Sequence, residues 1–465
     1  MGKKEMNNND TICAPATAPG GAIALIRISG PKALSITSSV CCGITATTPA
    51  NTIHFARITA PVPDASPSGN TTEVIDETLV SIFRAPHSYT GEDSVEISCH
   101  GSRYITRRIL DLLVQAGCRM AQPGEFTKRA YLNGKMDLSQ AEAVADLIAS
   151  TNRTSHQMAM SQLRGHFSSE LSKLRDQLLE LTTLLELELD FSDHEDLEFA
   201  DRTQLLALAE KTDQRITTLA HSFETGQALK QGVPVAIIGR TNVGKSTLLN
   251  RLLKEERAIV SDVHGTTRDT IEDVIDIQGI TFRFIDTAGI RQTTDQVERI
   301  GIQRTYDAIT KARIVLWLFD QAPAEAEVAD LLKRTEDKAL IPIHNKSDLG
   351  PVDCTAIAGR PVISISAKHA PSLDALELAI YQAANIPEIQ DSDIIVSSAR
   401  HYQALQQAHE NLSRVLIGLR QNLPSDLLSE DLRLVLDNLA QITGQARIMP
   451  TEVLENIFRH YCVGK

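Results

Sequence analysis

The stretch "VPVAIIGRTNVGKSTLLNRLLK" constrains this chain more than any other. An apolar run leads into Gly239 to Ser246, "GRTNVGKS", and an amphipathic segment follows. That is the strand–loop–helix context a phosphate-binding loop requires. Its glycines let backbone N–H groups wrap a phosphate, Lys245 suits the β/γ oxygens, and the Ser246 hydroxyl suits Mg²⁺. Downstream, "TFRFIDT", "IVLWLFD", "ALIPIHNK" and "VISISA" alternate with helix-like segments such as "SLDALELAIYQAA". Strands alternating with helices predict a parallel, doubly wound α/β sheet over residues 232–387.

The flanks follow other periods. Leu171, Leu174, Leu178, Leu181 and Leu185 recur at steps of three and four, as do Leu405, Leu412, Leu416, Leu432, Val435, Leu436 and Leu439. Both stripes are those of amphipathic helices. Neither stretch buries its stripe alone, so one discontinuous helical domain, residues 133–231 with 388–465, is predicted around an inserted sheet domain. In residues 1–132, "GAIALIRISG", "TIHFARITA", "ETLVSIFRAP" and "SVEISCHG" read as strands, and "YITRRILDLLVQAG" reads as a helix closed by Gly117. This part is a predicted α+β domain, and the turn-rich 61–72 a mobile loop. The whole is a multidomain α+β and α/β chain.

Four further elements join the phosphate loop. "SDVHGTTRD" (Ser261, Asp262, Val263, His264, Gly265, Thr266, Thr267) offers hydroxyls and carbonyls to a cation, and Asp286-Thr287-Ala288-Gly289 follows a strand. Asn345-Lys346-Ser347-Asp348 supplies a carboxylate, Asp348, that accepts from both N1–H and the 2-amino group of guanine. Adenine offers no such donor pair, and a missed buried pair costs about 1–3 kcal/mol per group. Ser366-Ala367-Lys368 suits the loop that closes over the base. The set predicts GTP binding through Gly239, Asn242, Val243, Gly244, Lys245, Ser246 and Thr247, together with these four segments.

Ile290 stands where many GTPases carry the glutamine that orients the attacking water. Something else must then orient water and offset charge. Asn242 could help ligate a monovalent cation beside the phosphates, or it could merely hold the 261–269 loop by a hydrogen bond. Glu298 could act on the water, or it could lie on a solvated helix face.

Bulk properties narrow the class. The net charge is −13, yet residues 1–132 carry 12 Lys+Arg against 11 Asp+Glu, while 133–231 carry 9 against 17. The chain is no bulk polycation, so any RNA contact is local or supplied by a partner. Seven scattered cysteines without metal spacing suggest reduced thiols in the cytoplasm. No apolar run reaches the roughly 18 residues needed to span a bilayer, and the start lacks the apolar centre of a secretory signal.

Taken together, "DTICAPATAPGGAIALIRISGP", "SYTGEDSVEISCHG", "PGEFTKRAYLNGKMDLSQAEAVADLI", "DTAGIRQTTDQVERIGI" and the final "YCVGK" resemble the MnmE/TrmE family of tRNA modification GTPases over essentially the whole chain. The resemblance implies a tetrahydrofolate-binding, dimerising N-terminal domain and a discontinuous helical domain around the GTPase domain. It implies a potassium ion held by Asn242, the backbone of Ser261 and Val263, and Thr266. It gives magnesium to Ser246 and Thr267, and water orientation to Glu298. Reduced folate (5,10-methylene- or 5-formyl-tetrahydrofolate) would contact Arg27, Glu96, Lys135 and Lys465. Taken alone, Arg27 and Glu96 could be an ordinary strand-borne ion pair, and Lys135 a helix-entry lysine. The implied reaction adds a carboxymethylaminomethyl-type group to C5 of wobble uridine in certain tRNAs. The implied partner is the FAD- and NADH-dependent MnmG (GidA), in a heterotetramer built on a homodimer.

The resemblance places the tail in the folate-site region and so makes Cys462 a candidate acid/base or nucleophile, with Gly464 freeing the backbone to turn and Lys465 able to lower the thiol's pKa. Its bland reading is a small apolar residue packed on the preceding helix. A ribosome-assembly GTPase, a binding switch without covalent chemistry, shares the nucleotide motifs but usually appends a basic RNA-binding module. Residues 388–465 carry 7 Lys+Arg against 10 Asp+Glu. A purely regulatory switch with a helical partner platform is the remaining alternative.

Overall fold

Alternating apolar residues set the strands of the N-terminal part. In the computed structural model, β1 (Ile12–Pro15) and β2 (Ile23–Ser29) are followed by α1 (Ala33–Val40), β3 (Cys41–Cys42), β4 (Thr52–Pro61), β5 (Thr72–Phe83) and β6 (Ser94–His100). Then come α2 (Arg103–Gln115), β7 (Arg119–Met120), α3 (Glu125–Leu132) and α4 (Leu138–Ala149). Described are residues 10–61, 72–190, 202–256, 273–285, 306–351, 354–369, 372–387, 393–445 and 464. The predicted mobile loop thus lies mostly outside them.

The chain divides into two units, Met1–Ala145 with Leu439–Lys465, and Asp146–Asn438. The first holds a seven-stranded sheet of order β3-β4-β5-β6-β2-β1-β7. All its described pairings are antiparallel except β1 with β7. Ala24, Ile26 and Ile28 of β2 pack with Val80, Ile82, Val95, Ile97, Ile109 and Leu113 in one core. Residues at intervening positions face the other way, and there Arg27 stands directly opposite Glu96. A smaller cluster of Ile12, Ala14, Ala121 and Phe126 lies under α3. Tyr131 Oη donates to the Gly444 carbonyl over 2.9 Å, tying the later chain into this unit.

The second unit holds α5 (Arg153–Leu163), α6 (His166–Asp190) and α7 (Arg202–Gln231), then β8 (Val233–Gly239), α8 (Lys245–Glu256), β9 (Asp273–Ile277), β10 (Ile280–Phe284) and β11 (Ile314–Phe319). Next are α9 (Glu325–Arg334), β12 (Ala339–His344), the short hairpin β13 (Ala356–Ile357) and β14 (Arg360–Pro361), β15 (Ile363–Ser364) and α10 (Asp374–Ala384). The last helices are α11 (Ala399–Arg420) and α12 (Ser425–Thr443).

The six-stranded sheet has the order β15-β12-β11-β8-β10-β9. It is parallel except that β9 runs antiparallel to β10. That edge strand was not read in the sequence, because "EDVIDI" is rich in carboxylates, residues depleted in strands.

The leucine stripe of α6 is buried at all five positions, and α7 packs on α11. Phe223 stacks on Tyr402 at 4.4 Å, and the Asp213 carboxylate meets His409 Nδ1 at 2.7 Å. Gly226 permits this approach, since a Cβ there would strike the Val396 carbonyl. The helical stretches before and after the sheet therefore pack together, as their unpaired stripes require. Asn152 joins helix to sheet. Its side-chain oxygen accepts from Ser155 N–H to cap α5, and its Nδ2 donates to Thr281 Oγ1 of β10 over 2.6 Å.

Candidate functional site

β8 ends in the phosphate loop and α8 begins at Lys245, so the first turn of the helix faces whatever the loop holds. Gly239 has φ +145° and lies so close to β11 that a Cβ would strike the Leu318 carbonyl. Asn242 adopts a left-handed backbone, φ 63°, and is exposed at the tip of the loop. Val243 is buried in the core beneath. Lys245 Nζ donates to the carbonyls of Gly239 and Arg240, at 2.6 and 2.7 Å, which folds the lysine back along the loop. Burial pushes its pKa down from the usual lysine value. Ser246 and Thr247 sit in the first turn of α8.

Asn345, at the end of β12, is 2 % exposed and binds both neighbouring loops. Its Nδ2 donates to the Val243 carbonyl over 2.7 Å, and its Oδ1 accepts from Ala367 N–H over 2.9 Å. Gly244 is required for this, since it has φ +99° and a Cβ there would strike Asn345 Nδ2. Lys346 takes a left-handed backbone, φ 63°, and pairs with Asp320 at 2.8 Å. Asp348 is exposed in a short 3-10 turn (Ser347–Leu349). The buried Ser366 hydroxyl donates to Asp348 Oδ1 over 2.6 Å and holds its carboxyl below the usual range. Lys368 is exposed beside them. The structure thus gathers the 239–247, 345–348 and 366–368 segments at the carboxyl ends of β8 and β12, where parallel α/β sheets bind ligands.

Ser261, Asp262, Val263, His264, Gly265, Thr266, Thr267, Asp286, Thr287, Ala288, Gly289, Ile290 and Glu298 lie outside the described residues. So do Cys462 and Lys465. Among the described residues, no group of three or more His, Cys, Asp or Glu side chains could hold a metal ion. The described donors for the implied cations are an amide and a hydroxyl, Asn242 and Ser246. Both are hard oxygen ligands of the kind Mg²⁺ and potassium prefer, and they fit those ions.

A second group of candidates converges on the open face of the N-terminal sheet. Arg27 and Glu96 form an ion pair at 2.7 Å, with Arg27 Nε also donating to Glu96 over 2.8 Å. The guanidinium carbon lies 5.5 Å from the Tyr89 ring centroid and 5.8 Å from that of Phe126. Arg27 Nη1 donates to the Gly464 carbonyl over 3.2 Å. Gly464 has φ +96°, and a Cβ there would strike the Pro15 carbonyl, so the turn and the close approach both require glycine. Lys135 Nζ donates to the Pro86 carbonyl over 2.9 Å, at the start of the loop that carries Tyr89. Tyr89 and Phe126 were missed in the sequence. The ring in "SYTGED" was visible, but its stacking on Arg27 depends on contacts remote along the chain.

An ion network supports this face. Arg129, 5 % exposed at its side chain, pairs with Asp10, Glu92 and Glu125, and Arg119 pairs with Asp10 and Glu125. Burial pushes the carboxyls of Asp10 and Glu125 up, but Arg119 and Arg129 overcome it and hold both below the usual range.

Comparison with known proteins matches two stretches of the chain to family models. Residues 11–135 match the family model described as GTP-binding protein TrmE N-terminus, and residues 138–462 match that of the MnmE helical domain. A protein of Phocaeicola vulgatus named tRNA modification GTPase MnmE is 51% identical over 99% of this chain and 100% of its own length. One of the same name from Porphyromonas gingivalis is 47% identical over 98% of each chain. Among solved structures, the G domain of the T. maritima FeoB iron transporter covers 33% of this chain and 98% of its own, at 24% identity and a TM-score of 0.24.

Proposed function

The chain belongs to the MnmE/TrmE family of tRNA modification GTPases, and from that premise we propose that it hydrolyses GTP to drive wobble-uridine modification of tRNA. The observation that carries the nucleotide half is the Asn345 bridge, which fixes the base-reading and phosphate-binding loops against one another. Asp348, oriented by the Ser366 hydroxyl, accepts from the N1–H and 2-amino groups of guanine. The phosphate charge falls to Lys245 and the first-turn N–H groups of α8.

Ser246 with Thr267 would hold Mg²⁺. Asn242, the carbonyls of Ser261 and Val263, and Thr266 would hold potassium. When bound, the monovalent cation supplies the positive charge at the β–γ bridge that an arginine finger supplies elsewhere. Glu298 replaces the missing glutamine by orienting water, because Ile290 can neither donate nor accept. Asp262, His264 and Gly265 complete the loop over the nucleotide, and Asp286 to Gly289 sense its third phosphate.

The folate half rests on the junction of Arg27, Glu96 and Gly464, with Lys135 and Lys465 as further cations for a reduced folate. Its one-carbon unit would be delivered close to the tail that carries Cys462. The group added is of the carboxymethylaminomethyl type, at C5 of uridine 34, with an FAD-dependent partner, MnmG, and a homodimer formed through the N-terminal domains. The exposed apolar side chains Ile53, Phe55 and Leu79 on the open sheet face supply surface for that pairing. No described helix is long and apolar enough to cross a membrane, and we place the protein in the cytoplasm.

The test of the nucleotide half is the rate of GTP hydrolysis in potassium, sodium and lithium. Fast turnover in potassium alone supports the reading, and equal rates in all three overturn it.

A further inference from the structure

A cavity of about 360 Å³ opens between the β1–β2 loop and the first half of α2. It sits at the start of β2, where Ala24 lines it from the face that α2 covers and Ile23 from the opposite face. Its volume falls within the range of small-molecule sites. Ile23, Leu110 and Met120 supply an apolar lining, and two of them are unusually open to water, Ile23 at 67 % and Met120 at 42 % exposed. The loop and the helix approach closely because Gly101 lies against Gly21, where a Cβ would strike the Gly21 carbonyl.

The polar groups are arranged by position. Arg103 and Arg107 line the cavity from successive turns of α2, and Asp111 follows one turn further on, about 6 Å along the axis. Among the described residues neither guanidinium makes a hydrogen bond or ion pair. The helix begins at Arg103 with no side-chain cap, which leaves first-turn N–H groups beside these cations. A ligand matched to this order has an anionic end, an apolar body and an N–H donor at its far end. That describes a nucleotide, with phosphate on the arginines, base on the apolar lining and a base N–H on Asp111. Arginine forks suit phosphate oxygens, and unstacked bases are read on their edges in single-stranded RNA. Tyr104, 67 % exposed on the same helix, offers a ring on which a neighbouring base can stack. These groups form a local basic patch on a chain of net charge −13.

We propose that this cavity is a single-stranded RNA subsite, holding one nucleotide of the RNA with its phosphate on Arg103 and Arg107. The choice of RNA rests on the proposed tRNA function; the cavity and its charge order do not.

The test uses the full chain and a pentaribonucleotide of uridines with 4-thiouridine at its centre, crosslinked by light and mapped by peptide mass spectrometry. Crosslinks are expected on peptides bearing Ile23, Leu110 or Met120. Arg103→Ala with Arg107→Ala should weaken pentamer binding by about tenfold or more, and make its logarithmic salt dependence shallower by about 1.4, as for two lost single-strand phosphate contacts. Arg103→Lys with Arg107→Lys should keep most of the binding. An unchanged thermal unfolding midpoint shows that the exposed substitutions leave the fold intact. Crosslinks confined to other regions, or binding unaffected by the alanine pair, overturn the proposal. So does displacement of the crosslink by 5-formyltetrahydrofolate, which would make the cavity part of a folate site. Loss of this subsite leaves the proposed tRNA function standing, because that function is tested separately, by whether modified wobble uridine persists in cells without the protein.

Discussion

Asn345 Nδ2 donates to the Val243 carbonyl over 2.7 Å, so the 345–348 segment is bonded to the 239–247 loop. The same side chain accepts from Ala367 N–H, which makes one buried amide the junction of the three candidate nucleotide-binding segments. Asn345→Ala leaves a carbonyl and an N–H without their partner in a buried place. At about 1–3 kcal/mol for such a loss, GTP affinity should fall roughly tenfold to a hundredfold. Calorimetric titration with GTP measures it, and wild-type affinity would show that the loops are positioned independently.

The potassium reading makes a separate demand on Asn242. Asn242→Ala should remove the difference between potassium and sodium while leaving GTP binding largely intact. Glu298→Ala should lower turnover without weakening binding, the signature of an interaction made mainly in the transition state. Single-turnover rates and nucleotide titrations on both variants check this, and a retained potassium preference in the Asn242 variant would contradict it.

Much of the nucleotide site was legible because its chemistry is local. Gly239, Gly244 and Lys245 occur at fixed spacing within one loop, and the backbone geometry they impose is independent of the rest of the chain. The bridging role of Asn345 was not legible, since it depends on Gly244 and Ala367 arriving from elsewhere. Arg27 and Glu96 could be read as an ion pair from their strands, and they do pair in register. Their meeting with Gly464, 437 residues along the chain, could not be read from spacing. The parallel strands were visible as continuous apolar runs, whereas β9 shows too few apolar residues for its pattern to stand out.

The Gly464 contact makes the tail sensitive to a single methyl group. Gly464→Ala places a Cβ against the Pro15 carbonyl at a backbone angle that alanine rarely adopts, and should displace the tail from Arg27. Wobble-uridine modification should be lost, with potassium-stimulated GTP hydrolysis nearly unchanged. Cys462→Ser should give the same pattern if the thiol acts in the chemistry. Normal modification by the serine variant would reduce Cys462 to packing.

The Arg119–Arg129 network sets the acid limit of the N-terminal unit. Asp10 and Glu125 have folded-state pKa values below their unfolded ones, so their contribution is present above the unfolded carboxylate range and is lost as pH falls through the lowered values. Stability should therefore drop below about pH 4. Arg129→Ala strands carboxylates beside it and should cost about 3–5 kcal/mol at neutral pH, with a smaller loss in acid where the carboxyls are protonated. Urea unfolding at pH 7 and pH 3.5 separates the two, and an equal loss at both would rule out the electrostatic origin.

The most direct measurement is nucleoside analysis of bulk tRNA from cells lacking this protein and from the same cells supplied with it. Loss of the carboxymethylaminomethyl-type uridine at position 34, restored by the wild-type chain, is the expected result. Full modification in the cells lacking it would contradict the account.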